Sequence, residues 1–459
     1  MTTFRERIQD AFAEGVPIAI DRGARGHYEH RAEAAAVFPQ MEPMRDRARQ
    51  IRAEVLANLD VHLRQFADSV ERNGGVVFFA ADAAEACDYI VGLARREGIT
   101  RAVKVKSMVT EEIHLNAALE DAGVETVETD LGEFIVQLAG ETPSHIIAPV
   151  LHKNRQQIGE LFAERLGVDY TDDPGELNEI ARDYLRERFL TAGMGISGAN
   201  FGVADDGSIA LVTNEGNGRL CTTAPRIHVA VMGMERLVRD RRDLAVMLEV
   251  LARSATGQGL SSYTNIVSGP RRIGEPDGPD QFHVVIVDNG RSATLGSRVA
   301  EILYCIRCGA CLNACPVYRH VGGHAYGSVY PGPIGKVLTP SLYGLEQWHE
   351  LPATSSLCGA CQEVCPVRID IPKLLVELRN ESTHELSAGL RRGLAIYAGV
   401  TTHPRVFRLL TRTAALVAGV WSRDGWMRRI PVLRNWTRDR ELPAPAPETF
   451  HDWWRKRGA

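Results

Sequence analysis

Between residues 74 and 129, short runs rich in apolar residues alternate with longer segments of helical spacing. The short runs "GGVVFFA" (74–80), "RAVKVKS" (101–107) and "VETVET" (124–129) predict strands. The segments between them, "AAEACDYIVGLARREG" (83–98) and "EEIHLNAALEDAG" (111–123), predict helices. Strands that alternate with helices are typical of an α/β domain with a mainly parallel sheet.

The same pattern continues to residue 295. Four further runs predict strands: "HIIAPV" (145–150), "GSIALVT" (207–213), "IHVAVMG" (227–233) and "FHVVIVD" (282–288). Residues 1–60 are strongly charged and are predicted to be helical. We therefore expect an N-terminal helical segment over 1–60 and an α/β domain over 61–295.

Two glycine-rich stretches of the α/β region are candidate ligand sites. Gly193, Gly195 and Gly198 form a G-x-G-x-x-G pattern, but a helical pattern precedes them where a dinucleotide-binding fold needs a strand. We therefore expect no nicotinamide site there. The loop "TNEGNGRL" (213–220) follows a predicted strand and suits a polar-ligand pocket, with a plain glycine turn as the alternative.

Seven of the nine cysteines lie between residues 305 and 365. Clustered cysteines in a reducing compartment indicate metal ligands more often than disulfides. The stretch "CIRCGACLNACPV" (305–317) has the spacing C-x2-C-x2-C-x3-C-P, which is typical of bacterial ferredoxins. In that arrangement three cysteines bind one iron–sulfur cluster and the fourth binds the other cluster.

A second copy of this motif lies fifty residues further along. "SSLCGACQEVCPV" (355–367) matches the first copy at seven of thirteen positions. Exchange of the fourth ligand between the copies predicts two clusters, which we expect to be [4Fe–4S]. Cluster one then takes Cys305, Cys308, Cys311 and Cys365, and cluster two takes Cys315, Cys358 and Cys361.

Cluster two lacks one cysteine because Ser355 stands at the position equivalent to Cys305. We expect an open or labile iron there, either bound by another group or lost to leave [3Fe–4S]. The serine oxygen, water, a substrate, His320 or His324 are the candidates for the missing ligand. A tetrahedral zinc site is the alternative for such cysteines, but zinc binding would not explain a repeat whose fourth ligands are exchanged between the two copies.

The segments around the second motif predict the rest of a ferredoxin-type domain over 296–384. Residues 316–357 separate the two motifs and include a Gly- and Pro-rich stretch that predicts a loop. After the second motif, "RIDIPKLLVELRNEST" has helical spacing, with Pro372 near its first turn. We expect two clusters held among short helices, with an inserted loop between the motifs.

The C-terminal extension, 385–459, differs in charge from the rest of the chain. Residues 381–459 hold fourteen Arg and Lys against seven Asp and Glu, a net of +7 in a chain of net charge −5. Five of the six tryptophans lie there: Trp421, Trp426, Trp436, Trp453 and Trp454. A helical, basic extension of this kind predicts docking onto a partner protein or an anionic membrane surface. Packing on the acidic remainder of its own chain is the third alternative.

The composition is that of an ordinary globular protein, with 44% hydrophobic and 24% charged residues. The first residues are charged and lack the apolar core of a signal peptide. The longest apolar runs, such as "AALVAGVW" (414–421), are too short to span a bilayer. We expect a cytoplasmic protein, open to peripheral contact with the inner face of the membrane, and no nucleic-acid partner.

The chain resembles the iron–sulfur subunit of the bacterial lactate-utilisation (LutABC) system in four places. These are the two cysteine motifs, the stretch "PVLHKNRQQIGELF" (149–162) and the long stretch 195–238. The resemblance covers nearly the whole chain. It implies a LUD domain related to the sugar isomerase and CoA-transferase type of fold. It also implies the seven cluster cysteines named above, the absence of a cysteine at 355, and the C-terminal extension.

The resemblance implies a component of a complex that oxidises L-lactate to pyruvate as a carbon and energy source. Its partners would be the cysteine-rich subunit and the LUD-containing subunit of the same system, and the downstream electron acceptor is left open. Two one-electron clusters suit a reaction that releases two electrons. Other classes remain open: a cluster-based redox sensor, or a self-sufficient hydroxy-acid oxidising enzyme that uses the open iron of cluster two.

The residues do not decide whether this chain is itself catalytic. A 2-hydroxy acid needs a base, and four histidines qualify by residue type alone: His114, His152, His228 and His283. A structural role is the alternative for each of them. No catalytic residue is therefore assigned from the sequence.

Overall fold

The structure is a computed structural model and describes residues 4–13, 16–385, 388–428, 430, 434, 437–438, 440–446 and 448–457. The chain forms two compact units, Met1–Ser382 and Thr383–Ala459. The first unit contains the α/β region and both cysteine motifs, and the second contains the basic extension.

Two sheets form the α/β part of the first unit. Its strands are β1 (Val76–Ala80), β2 (Arg101–Lys104), β3 (Glu125–Glu128), β4 (Met194–Gly198), β5 (Phe201–Val203), β6 (Ile209–Thr213), β7 (Ile227–Gly233), β8 (Leu237–Val238), β9 (Tyr263–Val267) and β10 (Gln281–Val287). The larger sheet is wholly parallel and has the order β1-β10-β7-β4-β2-β3. The smaller sheet has the order β8-β5-β6-β9. The prediction of a parallel α/β sheet is confirmed.

Helices precede, cover and follow these sheets. Their bounds are α1 (Phe4–Ala13), α2 (Val16–Ala36), α3 (Met41–Ala57), α4 (Leu59–Arg72), α5 (Ala83–Arg96), α6 (Met108–Glu112), α7 (Leu115–Asp121), α8 (Leu131–Ala139), α9 (Arg155–Leu166), α10 (Pro174–Thr191), α11 (Asn217–Thr223), α12 (Arg241–Thr256) and α13 (Arg291–Leu295). The seven residues of β7 are all buried, because helices cover both faces of the parallel sheet.

Two local predictions for this region are wrong. The predicted strand at 145–150 is a loop, folded around buried His145, whose Nδ1 accepts hydrogen bonds from Ile147 N (3.1 Å) and Ala148 N (3.2 Å). The predicted helix at 111–123 is divided, because His114 takes the left-handed conformation (φ 55°) between α6 and α7.

Gly195 and Gly198 lie within strand β4 and Gly193 directly precedes it, so the pattern is not part of a strand-to-helix turn. A Cβ atom at Gly195 would stand 1.8 Å from the carbonyl oxygen of Cys221, so the glycine permits close packing of α11 on the strand. This packing role accounts for the pattern without a dinucleotide.

The two cysteine motifs lie among short helices at the end of the first unit. These are α14 (Ala310–Ala314), α15 (Pro316–Val321), α16 (Gly332–Tyr343), α17 (Leu345–Trp348), α18 (Glu350–Ala353), α19 (Ala360–Glu363) and α20 (Ile371–Glu381). The loop predicted between the motifs is largely helical, because Pro333 occupies the first turn of α16, where its missing N–H costs nothing. Helix α2 packs against both α14 and α15, so the N-terminal helices cover the first motif.

The second unit contains a pair of helices and a short C-terminal helix. Its elements are α21 (Ala388–Thr401), α22 (Pro404–Trp421), β11 (Ser422–Arg423), β12 (Trp426–Met427), β13 (Leu442–Pro443) and α23 (Phe450–Lys456). Arg412 of α22 binds Asp452 of α23 at 2.9 Å, and Phe450 stacks on Trp453 at 5.8 Å. Trp436 lies outside the described residues. Among the described residues, no helix is both long enough and apolar enough to cross a membrane.

Candidate iron–sulfur centres and an adjoining cavity

The four thiols predicted for cluster one surround a single cavity. Cys305, Cys308, Cys311 and Cys365 all line it, and its other walls are mainly apolar. The pKa of Cys308 is raised to about 12 by burial and by the neighbouring Cys305 and Cys365. The structure therefore brings Cys365 of the second motif to three cysteines of the first.

The three thiols predicted for cluster two form a second group. The pKa of Cys361 is raised to about 12 by burial and by its neighbours Cys315 and Cys358. Cys358 is exposed, whereas Cys315 and Cys361 are buried. Burial and several thiols, Cys361 among them, raise the pKa of Cys311, so the two groups are adjacent.

The four thiols of the first group line a cavity together. Among the residues that the structure describes, no three His, Cys, Asp or Glu side chains converge on one metal-ion position. Ligands of a cubane each bind a different iron and so stand around a cavity, whereas zinc draws four ligands onto one point. The four thiols of the first group stand around a cavity, as the ligands of a cubane do.

The internal repeat extends to the backbone around Ser355. Arg307 and Leu357, fifty residues apart, both have a left-handed backbone, with φ values of 59° and 54°. Arg307 N donates to Cys305 Sγ at 3.3 Å, and Leu357 N donates to Ser355 Oγ at 3.2 Å. The hydroxyl of Ser355 therefore occupies the place that the Cys305 sulfur has in the first motif.

Three arginines on one face of α3 donate hydrogen bonds to backbone carbonyls near the first group of thiols. Arg45 donates to the carbonyl of Cys365 through Nε (3.1 Å) and Nη2 (2.9 Å). Arg49 and Arg52, one and two turns further on, donate to the carbonyls of Arg368 (2.5 Å) and Leu303 (2.9 Å). These three arginines could not be identified from the sequence, because each contact joins residues that are distant in the chain.

A buried charge network joins the first motif to the α/β domain. Arg236 Nη1 donates to the carbonyl of Cys305 at 2.8 Å, and Arg307 lies 3.4 Å from Glu235. Burial opposes ionisation of Glu235, but the arginines around it, Arg291 foremost, outweigh burial and lower its pKa to about 2. Arg236, Arg291 and Arg307 therefore form, with the Glu235 carboxylate, a buried charge network beside the first group of thiols.

Lys336 of α16 is the buried cation of the second motif. Its Nζ donates to the carbonyl of Thr354 at 2.6 Å, next to Ser355. Burial lowers its pKa, which the neighbouring Cys315 and Cys361 oppose. Because the Gly- and Pro-rich sequence of this segment predicts a loop, it does not indicate a role for the lysine.

Neither histidine proposed as a ligand of cluster two points to that role. Nδ1 of His320 pairs with the carbonyl of Pro316 at 2.8 Å, and Nε2 of His324 pairs with the carbonyl of Thr142 at 2.7 Å. Ser355 is better placed than either ring, because its hydroxyl stands at the corner that the repeat leaves open.

A cavity of about 520 Å³ lies at the carboxyl ends of strands β2, β3, β4 and β7. The loop "TNEGNGRL" contributes Asn214, Glu215 and Asn217 to its wall, as predicted for a polar pocket. Arg307 and Ile146 line both this cavity and the one between the four thiols. The two cavities are thus separated by one layer of side chains.

Lys106, Asp130 and Glu215 lie close to one another in the wall of the large cavity. Lys106 Nζ donates to the carbonyl of Ile147 (3.1 Å) and to Asp130 Oδ2 (3.4 Å). Glu215 accepts a hydrogen bond from Leu131 N at 3.2 Å. Surrounding protein and the charge of Asp130 raise the pKa of Glu215 to about 7, although the residue is exposed.

None of the four histidines proposed as bases lines the large cavity. His228 and His283 lie near the amino ends of β7 and β10, at the opposite edge of the sheet, and His228 Nε2 pairs with Ser197 Oγ at 2.7 Å. His152 is held between Ser144 (2.8 Å) and Glu141 (2.7 Å), and burial lowers its pKa to about 4. His114 is exposed.

Comparisons with known families agree with this architecture. The LUD domain family matches residues 63–287, the 4Fe–4S dicluster domain family matches 301–369, and the lactate utilisation protein B C-terminal family matches 379–459. A dicluster domain with these cysteines implies two [4Fe–4S] clusters. A solved duf162 family protein from Deinococcus radiodurans covers 50% of this chain and 98% of its own, at 14% identity and a TM-score of 0.28, which is too low to support an argument.

Full-length relatives give a stronger result. Lactate utilization protein B of Bacillus licheniformis is 47% identical, over 99% of this chain and 96% of the relative. The proteins of the same name from Oceanobacillus iheyensis and Geobacillus thermodenitrificans are 45% and 46% identical, over 99% and 98% of this chain and 96% and 95% of theirs. These relatives match the chain over its full length, and they match its α/β LUD domain with a parallel sheet, its dicluster domain and its mostly helical C-terminal region. The chain therefore belongs to the lactate utilization protein B family.

Proposed function

We propose that this chain is the iron–sulfur electron-transfer subunit of a complex that oxidises L-lactate to pyruvate. One observation carries the proposal: there are two adjacent groups of cysteines, of which the first is buried or half-buried and the second reaches the surface at Cys358. Two adjacent clusters, one further from the surface than the other, would conduct electrons from the interior of the protein to a partner. The names of the relatives support lactate utilisation as its setting.

The ligands of cluster one are Cys305, Cys308, Cys311 and Cys365. Their common cavity supports this assignment, since it includes a cysteine from each motif. The arginines nearby offset part of the negative charge of a cluster with four thiolates. Cluster one is thereby easier to reduce than an equivalent cluster in neutral surroundings.

The ligands of cluster two are Cys315, Cys358 and Cys361, with Ser355 at the fourth corner. The equivalent hydrogen bonds to Cys305 Sγ and Ser355 Oγ support this placement. A hydroxyl is a weaker ligand for iron than a thiolate. The iron at that corner is therefore the labile one, and mild oxidation converts cluster two to [3Fe–4S].

The position of the large cavity favours electron entry through cluster one. Arg307 separates the cavity from the first group of thiols. A self-sufficient enzyme that activated its substrate on the open iron of cluster two would need the cavity beside the second group. Electron flow from cluster one to cluster two, and then to a partner near Cys358, accounts for the position of the large cavity beside the first group of thiols and for the exposure of the second group.

The C-terminal extension docks onto the other two components of the complex, the cysteine-rich subunit and the LUD-containing subunit. The net charge of +7 over residues 381–459 and the exposed Trp453 and Trp454 support an interaction role, since Trp and Arg are favoured at interface hot spots. The domain divisions that go with this function are 1–60, 61–295, 296–384 and 385–459. The α/β domain belongs to the sugar isomerase and CoA-transferase type of fold, and the protein acts in the cytoplasm, open to peripheral contact with the membrane.

The test is anaerobic purification of the chain, alone and with its two partner proteins, followed by iron and sulfide analysis. L-Lactate is then added while the clusters are monitored by electron paramagnetic resonance (EPR). An electron-transfer subunit binds two clusters but is reduced by lactate only within the complex. D-Lactate serves as the matched control substrate.

Each other outcome selects another function. Reduction of the isolated chain by L-lactate would make it an enzyme in its own right. Clusters that never respond to lactate, but change the affinity of the chain for a partner when oxidised, would indicate a redox sensor.

A further inference from the structure

The large cavity of the α/β domain has no part in holding the clusters. Its volume of about 520 Å³ lies within the range typical of small-molecule sites. It opens at the carboxyl ends of parallel strands, which is where open α/β sheets bind their ligands. Its size and its position both indicate a binding site.

The cavity wall offers a buried cation that lacks a full set of partners. Arg307 Nη1 is buried and has no hydrogen-bond partner among the described residues, and the whole side chain is 10% exposed. Its other amino group lies 3.4 Å from Glu235, which Arg291 already binds at 2.7 Å. A ligand carboxylate at Arg307 would satisfy this donor and form a charge-assisted hydrogen bond.

The rest of the wall suits a small acid with one apolar end. Ile146, Leu251 and Ala255 form an apolar side, while Lys106 adds a second cation. Glu215, whose pKa of about 7 leaves it partly protonated near neutral pH, accepts a hydrogen bond from a hydroxyl or donates one to a keto oxygen. These groups match a monocarboxylate that carries oxygen on the next carbon.

We propose that this cavity binds a small 2-hydroxy or 2-oxo acid, with its carboxylate on Arg307 and Lys106 and its hydroxyl or keto oxygen on Glu215. The proposal rests on the proposed function only in taking lactate and pyruvate as the probes. Because Arg307 borders both cavities, a bound carboxylate offsets positive charge beside cluster one and lowers its reduction potential.

The test uses the cluster-loaded full chain under anaerobic conditions, titrated with ¹³C-labelled pyruvate and L-lactate. We expect saturable binding, faster relaxation of the ligand ¹³C nuclei when cluster one is reduced, and a fall in the cluster-one potential. Lys106→Gln should weaken binding about tenfold or more, since it removes a charged hydrogen-bond donor. Ala255→Phe fills the cavity without removing a charge and should abolish binding.

The matched control is Lys153→Gln, which removes a lysine that pairs with Glu141 at 2.6 Å and does not line the cavity. It should bind both acids as the unchanged chain does. If Ala255→Phe fails to load its clusters, the comparison of Lys106→Gln with Lys153→Gln still tests whether the acids bind in this cavity.

Equal binding by those two lysine variants overturns the site, as does the absence of saturable binding by a chain with full iron content. Pyruvate binding here without lactate-driven reduction in the complex supports the site and contradicts the proposed function. Lactate-driven reduction in the complex without binding to this chain supports the function and places the substrate on another protein of the complex.

Discussion

Replacement of Arg45 by Met should loosen cluster one. The Arg45 side chain is 6% exposed and donates to the carbonyls of Cys365 (2.9 and 3.1 Å) and Glu363 (2.6 Å). The substitution leaves two carbonyls without these donors, each at a cost of roughly 1–3 kcal/mol. About 3 kcal/mol in all corresponds to a local opening about a hundredfold more frequent. Since Cys365 is a proposed ligand of cluster one, iron loss should accelerate to match.

The assay is the rate of iron release from the anaerobic, cluster-loaded chain to a chelator. Arg47→Met is the matched control on the same helix, because Arg47 is 41% exposed and its ion pair with Asp243, at 3.3 Å, is of the kind that contributes little. Arg45→Lys keeps the charge but loses the forked arrangement of N–H donors, so its rate of iron release should lie between the rates of Arg45→Met and Arg47→Met. Equal release rates for Arg45→Met and Arg47→Met would refute the reasoning.

Three further predictions concern cluster two and the extension. Ser355→Cys should suppress the [3Fe–4S] EPR signal that mild oxidation produces, while Ser356→Cys should not; an equal signal in both would contradict the repeat geometry. Lys336→Met should lower the potential of cluster two by on the order of tens of millivolts in a redox titration, with exposed Lys373→Met as the control. Removal of residues 441–459 should preserve the iron content but abolish co-purification with the cysteine-rich and LUD-containing partners; loss of iron would instead assign that segment to the fold around the clusters.

Much of the α/β architecture is visible in the sequence because buried parallel strands are continuous apolar runs. Strand β7 was predicted at 227–233 and lies there, fully buried. The run at 145–150 is equally apolar but forms a loop, because its hydrogen bonds go to His145. The pattern of apolar residues indicates which segments are buried, but it does not distinguish a buried strand from a buried loop.

The candidate site was predictable where the signal is local and missed where it depends on contacts distant in sequence. The cysteine spacing and the fifty-residue repeat predicted the cluster ligands, which stay a prediction, and the "TNEGNGRL" loop does line a cavity. Arg45 meets Cys365 across 320 residues, and no local pattern indicates that contact. Lys336 was missed because a stretch rich in Gly and Pro predicts a loop, whereas Pro333 in fact starts a helix.

The exchange of ligands between the two motifs is the central claim, since the cavity, the arginines and the electron path are all assigned through it. The measurement that tests it most directly is a comparison of EPR and Mössbauer spectra from four single Cys→Ala variants. The account predicts that Cys365→Ala matches Cys308→Ala, although the two lie in different motifs, and that Cys361→Ala matches Cys358→Ala. Spectra of Cys365→Ala that match those of Cys358→Ala would contradict it.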